Sequence, residues 1–184
     1  FGGKITPIKS NTTDLTPDTR KSQGGCKEIF LFSCLTYFTS SHHDFISLDE
    51  ALRIRNVLNK STNETKSVIT YKGAKLDNIS MSRKELETEV KNSNIVKEIL
   101  ENIGFKSVPP LVKERQYLKF NNVAACVDTV KGLGDYLELE IIVENNSEKE
   151  KSLEVLENLL LKLGYSMKDT INTSYLSMLM NISE

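Results

Sequence analysis

The sequence predicts an α+β fold, an antiparallel sheet closed or nearly closed on itself with helices packed outside. Two observations lead there. From residue 28 onward, segments of strand length recur, each bounded by Gly, Pro, Asn or Asp. Charged and apolar residues alternate along several of them. Because strand side chains alternate faces, one sheet face then collects Arg, Lys and Glu while the other collects Leu, Ile and Val. Two helical stripes interrupt the strands and supply the outer layer.

Taken in order, residues 1 to about 25 are polar and weakly patterned, with Pro7, Pro17, Gly24 and Gly25 among many Thr, Ser and Lys. They read as a loop or disordered arm. Glu28–Phe38 is short, apolar and aromatic and reads as a buried strand. His42-His43-Asp44 forms a polar turn. Strands follow at Leu52–Arg55, at Val68–Lys72 (stopped by Gly73) and at Arg83–Val90. Asn94–Ile103 is a helix with Ile95, Ile99, Leu100 and Ile103 on one stripe, closed by Gly104. Three more strands occupy Val112–Tyr117, Val123–Asp128 and Tyr136–Val143, with Gly132-Leu133-Gly134 as the turn before the last.

Ser147 and Glu150 have capping-box spacing and open a second helix. It carries Leu153, Leu156, Leu159, Leu160 and Leu163 inward and closes at Gly164. That stripe reads as helix core, with a homodimer face as the other reading. A short amphipathic segment from Ser174 to Met180 ends the fold. The endings Leu100–Phe105 and Leu160–Tyr165 echo one another. Each follows a strand with glutamates at i and i+2, Glu85 and Glu87 and then Glu138 and Glu140. The echo predicts two similar halves, each of strands with one helix.

Composition narrows the function classes. Across 184 residues, 25 acids against 24 bases exclude a generally basic nucleic-acid binder. With 39% hydrophobic and 27% charged residues the chain has the composition of a soluble globular protein. No apolar run approaches the roughly 20 residues that cross a bilayer. Cys26, Cys34 and Cys126 contain no C-x-x-C pair, so neither a disulfide framework nor a zinc knuckle is indicated, and the expectation is a reduced, cytoplasmic protein. The first residue is Phe1 rather than Met, which reads as a trimmed or incomplete start. His42 and His43 point in opposite directions if extended and have no third ligand nearby in sequence, so they are not read as a metal site. Cys126 reads as a small buried thiol.

Spacing at i and i+2 pairs Arg53 with Arg55, Arg83 with Glu85 and Glu87, Lys113 with Arg115, and Glu138 with Glu140. Asp128 and Lys72 add single charges. A solvated outer face explains any one such strand. Recurrence of Arg and Glu in pairs points instead to a polar interior. Charges gathered there are costly unless they pair or hold a ligand. A polyanion with divalent metal satisfies both signs, since guanidinium and ammonium groups grip phosphate oxygens while carboxylates hold the metal.

Asp49–Arg55, Thr70–Gly73, Ser82–Glu87, Val112–Arg115 and Asp128–Glu140 together resemble the CYTH, or triphosphate tunnel, family in its class IV adenylyl cyclase branch, as does Ser174–Leu179. The resemblance runs from about Tyr37 to Leu179. It divides the chain into an atypical segment over 1–36, loop or divergent, and a CYTH-like domain over 37–184. It implies an eight-stranded antiparallel tunnel that binds ATP or another triphosphate or polyphosphate with Mg²⁺ or Mn²⁺. By the same resemblance, Arg53, Arg55, Lys72, Arg83, Lys113 and Arg115 are the substrate-binding bases. Glu85, Glu87, Asp128, Glu138 and Glu140 are the metal positions, and Lys113, Arg115 and Asp128 the catalytic ones.

One departure stands out: the family's first strand carries Glu-x-Glu-x-Lys, and residues 1–36 contain no such motif, Lys27-Glu28-Ile29-Phe30 offering a single glutamate. The resemblance implies conversion of ATP to cyclic AMP and pyrophosphate. Triphosphate hydrolysis on the same scaffold, and phosphate or nucleotide binding without turnover, are the alternatives.

Overall fold

The computed structural model describes residues 2–9, 27–75, 83–120, 122–142, 148–171 and 173–182. Its strands are β1 (Gly2–Lys9), β2 (Lys27–Ser40), β3 (Ala51–Asn59), β4 (Thr65–Lys75), β5 (Arg83–Glu89), β6 (Phe105–Ser107), β7 (Leu111–Phe120), β8 (Val123–Val130) and β9 (Gly134–Ile142). Its helices are α1 (Ser93–Asn102), α2 (Lys149–Lys162) and α3 (Tyr175–Ile182), with a 3₁₀ turn at Met167–Asp169. None of the described helices is long and apolar enough to cross a membrane.

The strands form one antiparallel sheet in the order β1-β9-β8-β7-β2-β3-β4-β5, with β6 added beside β2. β2 organises the sheet. Its first part pairs with β7 along Lys27–Leu35, its end pairs with β6 along Phe38–Ser40, and β3 lies on the other edge. The sheet is curled and open, with β1 and β5 as its end strands. The expected α+β class, with an antiparallel sheet of eight strands along its main path, is what the chain adopts.

The two sequence echoes become two matching units. β3–β4–β5–α1 and β7–β8–β9–α2 are each a three-stranded meander followed by a helix. The glycine after each helix, Gly104 or Gly164, has a left-handed φ of 99° or 82°, which L side chains adopt only at a cost.

Register assigns the faces. Arg55 lies opposite Leu35 and Val68, Leu35 opposite Leu111, Lys113 opposite Ser33 and Val130, and Asp128 opposite Arg115 and Tyr136. Directly opposed residues share a face, so one face runs unbroken from β5 to β9. The other face of β8 and β9 presents Val123, Ala125, Val127, Leu137, Leu139 and Ile141, and α2 covers it with Leu156 and Leu160.

Helix α3 packs on the charged face instead. Tyr175, Met178 and Leu179 meet Leu35, Leu111, Val130 and Tyr136, all members of that face. It therefore lies against the same face as the charged residues, opposite to the face that α2 covers.

Several local expectations change. Residues 2–9 form a strand rather than a loop, because the backbone of β9 offers a free edge and Gly2–Lys9 pairs with it from Gly2↔Ile142 to Lys9↔Tyr136. Residues 10–26 lie outside the described residues. β4 continues through Gly73 to Lys75, with a bulge between Lys72 and Lys75 taking up the irregularity. Ser147 of the expected capping box also lies outside the described residues, and the residue capping α2 is Glu148, with no side-chain bond. Leu163 is exposed, because α2 ends one residue earlier. On α1, Ile95, Ile99 and Ile103 form the expected stripe but face solvent. The N-cap of α1 is Asn92, whose side chain accepts from the amides of Asn94 and Ile95.

Candidate functional site

The most deeply buried charges lie where β7, β8 and β9 adjoin. Strand alternation puts Lys113 and Arg115 on one face of β7, Cys126 and Asp128 on the matching face of β8, and Glu138 on that of β9. Asp128 is 0% exposed. Its Oδ1 accepts from Arg115 Nε at 2.5 Å, and its Oδ2 accepts from Arg115 Nη2 at 2.6 Å and Lys113 Nζ at 2.7 Å. Arg115 Nη2 also reaches across β8 to Glu138 Oε2 at 2.7 Å. The fork geometry of a guanidinium suits this bidentate grip, which a lysine could not reproduce. From α3, the Tyr175 hydroxyl donates to Asp128 Oδ2 at 3.1 Å, and the Lys113 ammonium sits 5.2 Å from the centre of the Tyr175 ring.

Electrostatics follow from this burial. Desolvation, with the like charge of Arg115, takes the Lys113 ammonium down to about 8. Burial also works against the Arg115 charge, but Glu138 and Asp128 outweigh it and hold that guanidinium well above its ordinary value. Burial, then Glu138 and Asp128, push the Tyr175 hydroxyl far up, so it stays a donor.

The second group lies on β3, β4 and β5 and is more open. Lys72 Nζ donates to Glu85 Oε1 at 2.6 Å. Arg55 Nη2 reaches Glu87 at 3.4 Å, and the buried Thr70 hydroxyl donates to the same carboxylate at 2.9 Å. Arg53 occupies the face two residues before Arg55. The Nε atoms of Arg53 and Arg55 are buried, with no hydrogen-bond partner among the described residues. Burial, and then the neighbouring Arg53, lower the pKa of Arg55; Glu87 opposes them, and Arg115 adds to the lowering from across β2. Arg55 on β3 and Arg115 on β7 thus repel one another across β2.

The sequence-derived residues therefore mostly converge. Arg53, Arg55, Lys72, Lys113 and Arg115 share one face with Glu85, Glu87, Asp128, Glu138 and Glu140. Glu140 lies in register with Ala124 on β8 and Lys4 on β1. Arg83 is drawn away: its Nη1 donates to the backbone carbonyls of Asp49 and Gly73 at 3.0 and 3.2 Å, and its Nη2 is 3.6 Å from the Asp49 carboxylate. The bulge in β4 beside it accounts for that turn.

Among the described residues no three His, Cys, Asp or Glu side chains converge to cage a metal. His43 pairs with Glu50 at 2.6 Å, in the turn before β3.

The sequence matches the CYTH domain family over residues 36–175. The chain belongs to the CYTH domain family. This CYTH chain is 38% identical over 142 residues to a Methanocaldococcus jannaschii protein named "Putative adenylate cyclase MJ0240", covering 77% of this chain and 78% of that protein. In structure it resembles the PH1819 protein of Pyrococcus horikoshii OT3 with a TM-score of 0.85 at 28% identity, covering 99% of each chain. It also shares its fold with HpAC1 of Hippeastrum, a "putative adenylyl cyclase" described as having a dominant triphosphatase activity. That TM-score is 0.64 at 17% identity, over 98% of this chain and 94% of the other.

Sequence reasoning on the CYTH chain missed two side chains. Thr70 was grouped with Lys72 in a β-rich run, yet its strand parity with Lys72 was the signal that placed it on the charged face. Tyr175 falls inside the Ser174–Leu179 segment, and nothing in its spacing says that it reaches Asp128.

Proposed function

We propose that this CYTH protein binds a nucleoside triphosphate by its phosphate chain and converts ATP to cyclic AMP and pyrophosphate. The observation that supports it best is the convergence of Arg53, Arg55, Lys113 and Arg115 on one face, with the buried Nε atoms of Arg53 and Arg55 lacking partners among the described residues. An unsatisfied buried guanidinium N–H is costly until an acceptor fills it, and phosphate oxygens are acceptors of the right charge.

Arg53, Arg55 and Lys72, in the open half, take up phosphate oxygens, exchanging the exposed Glu85 and Glu87 for them. Lys113 and Arg115, held by Asp128, present positive charge where negative charge grows as the leaving pyrophosphate separates. Asp128, saturated by its three donors, serves to hold those cations rather than to bind metal. Glu138 and Glu140 are the carboxylates that would share Mg²⁺ or Mn²⁺ with the phosphates. Such an ion, when bound, would supply Lewis-acid neutralisation of the phosphate charge. In the reaction the ribose 3′-hydroxyl oxygen bonds to the α-phosphorus and gives up its proton to solvent, while the bond from that phosphorus to the α–β bridging oxygen breaks and its electron pair leaves on pyrophosphate.

Hydrolysis of a triphosphate is the second reading. One observation favours it: HpAC1, a protein of the same fold, is described as having a dominant triphosphatase activity. The absence of any carboxylate among Gly2–Lys9 of β1, the end strand beside β9, instead favours binding without turnover. Function resides in site chemistry and not in the fold, so products decide. Incubation with MnATP or MgATP is expected to yield cyclic AMP and pyrophosphate. Orthophosphate with ADP would establish hydrolysis instead, and tight binding with no product would reduce the protein to a nucleotide binder.

A further inference from the structure

We propose that Tyr175 is a positioning residue for the phosphate-binding face, holding Lys113 and Asp128 in place from helix α3. This rests on the reading of that face as a phosphate site.

Asp128 and Lys113 come from neighbouring strands whose backbones already fix where the side chains start. What those strands leave open is the final direction of the ammonium group. Lys113 has a flexible four-carbon stem and three N–H bonds, one of which goes to Asp128 Oδ2 at 2.7 Å. The Tyr175 ring covers a second flank of the ammonium, 5.2 Å from its centre. The same residue's hydroxyl donates to the very oxygen that Lys113 and Arg115 use, at 3.1 Å. One side chain thus touches both members of the pair, by ring and by hydroxyl, and narrows the directions left for the remaining N–H bonds.

Packing alone does not call for this arrangement. Met178 and Leu179 already seat α3 on Leu35, Leu111, Val130 and Tyr136, and the Tyr136 ring packs tilted against Tyr175 with centroids 5.2 Å apart. A phenylalanine at 175 would complete that apolar contact equally well. Placing a hydroxyl there instead adds a donor to an oxygen that already receives two cationic donors. A donor in that place has use only if the orientation of the carboxylate, and of the lysine it carries, has to be held. Tyr175 needs no contact with phosphate to act in this way.

The test is binding of inorganic tripolyphosphate with Mg²⁺, by calorimetry, to wild type, Tyr175→Phe and Tyr175→Leu, with thermal unfolding measured in parallel. Loss of a hydrogen bond to a charged group predicts about a tenfold or greater loss of affinity for Tyr175→Phe in a protein that remains folded. Losing the ring as well is expected to weaken Tyr175→Leu by a further few fold, on the order of threefold.

Each substitution is then repeated in a Lys113→Met background. A residue acting through Lys113 has little left to position there, so the effect of Tyr175→Phe should shrink toward twofold or less, on the order expected for coupled neighbours. A purely structural tyrosine would give the same fold-loss in both backgrounds, and that result overturns the proposal. Wild-type affinity in Tyr175→Phe overturns it too. If wild type itself fails to bind tripolyphosphate, the phosphate-site reading falls and this inference falls with it, an outcome separate from the other two.

Discussion

Asp128 sits fully buried between Lys113 and Arg115, with Arg115 spanning on to Glu138. Removing one partner from such a buried set leaves the others uncompensated, which typically costs about 3–5 kcal/mol. Arg115→Met is therefore expected to lower the unfolding free energy by about that amount in urea titrations; a change within ~0.5 kcal/mol, the level of an ordinary surface substitution, would mean the cluster contributes little. Lys113 gives a pH signature. Its folded pKa of about 8 lies below the ordinary 10.5, so the unfolded chain binds its proton more tightly. Between those values the Lys113 contribution to stability therefore rises with pH. Phosphate affinity runs the other way, because the ligand prefers the charged ammonium. The ratio of wild-type to Lys113→Met affinity for tripolyphosphate should hold steady below about pH 8 and fall above it; a ratio flat to pH 10 would show that Lys113 does not face the ligand. At this scale much was legible. Arg53, Arg55, Lys113, Arg115 and Glu138 follow from a period of two, which a strand obeys wherever no bulge interrupts it. Arg83 did not, because a bulge in the neighbouring strand carries it to Asp49 and Gly73. Tyr175 did not either, because its partner is set by where α3 lands.

Strands and helices differ in how far local pattern decides them. The meanders β3–β4–β5 and β7–β8–β9 were readable from alternation and turn residues, since both signals are local. β1 was not: Gly2, Gly3 and Pro7 are poor strand formers, and the segment extends because the edge of β9 supplies hydrogen-bond partners. The two helices with apolar stripes have opposite fates. Leu156 and Leu160 of α2 are wholly buried against β8 and β9, whereas Ile95, Ile99 and Ile103 of α1 stay exposed. Periodicity reports which face is apolar and says nothing about whether the sheet reaches it. Leu160→Ala should thus cost about 2–5 kcal/mol by denaturant unfolding, as buried leucines do. Ile99→Ala should change stability by no more than about 0.5 kcal/mol. Equal losses at the two positions would contradict the packing described here.

Over the whole molecule, one face of a curled sheet draws charged side chains from strands distant in sequence, and α2 covers the opposite face where β8 and β9 lie. Cations of the β3–β5 half and of the β7–β9 half lie near enough for Arg55 to feel Arg115. In the free protein carboxylates partly neutralise them, Glu87 for Arg55, Glu85 for Lys72, and Asp128 with Glu138 for Arg115. A phosphate chain would replace the exposed carboxylates first, because these pairs are solvent-screened and cheap to open. The central claim is that both halves grip one phosphate chain, and a crystal structure of the protein with Mg²⁺ and tripolyphosphate tests it most directly. The account predicts phosphate oxygens within hydrogen-bond reach of Arg53 and Arg55 on one side and of Lys113 and Arg115 on the other. Density confined to the outer surface, or a groove left empty at saturating ligand with its Glu87 and Glu85 pairs intact, would contradict it.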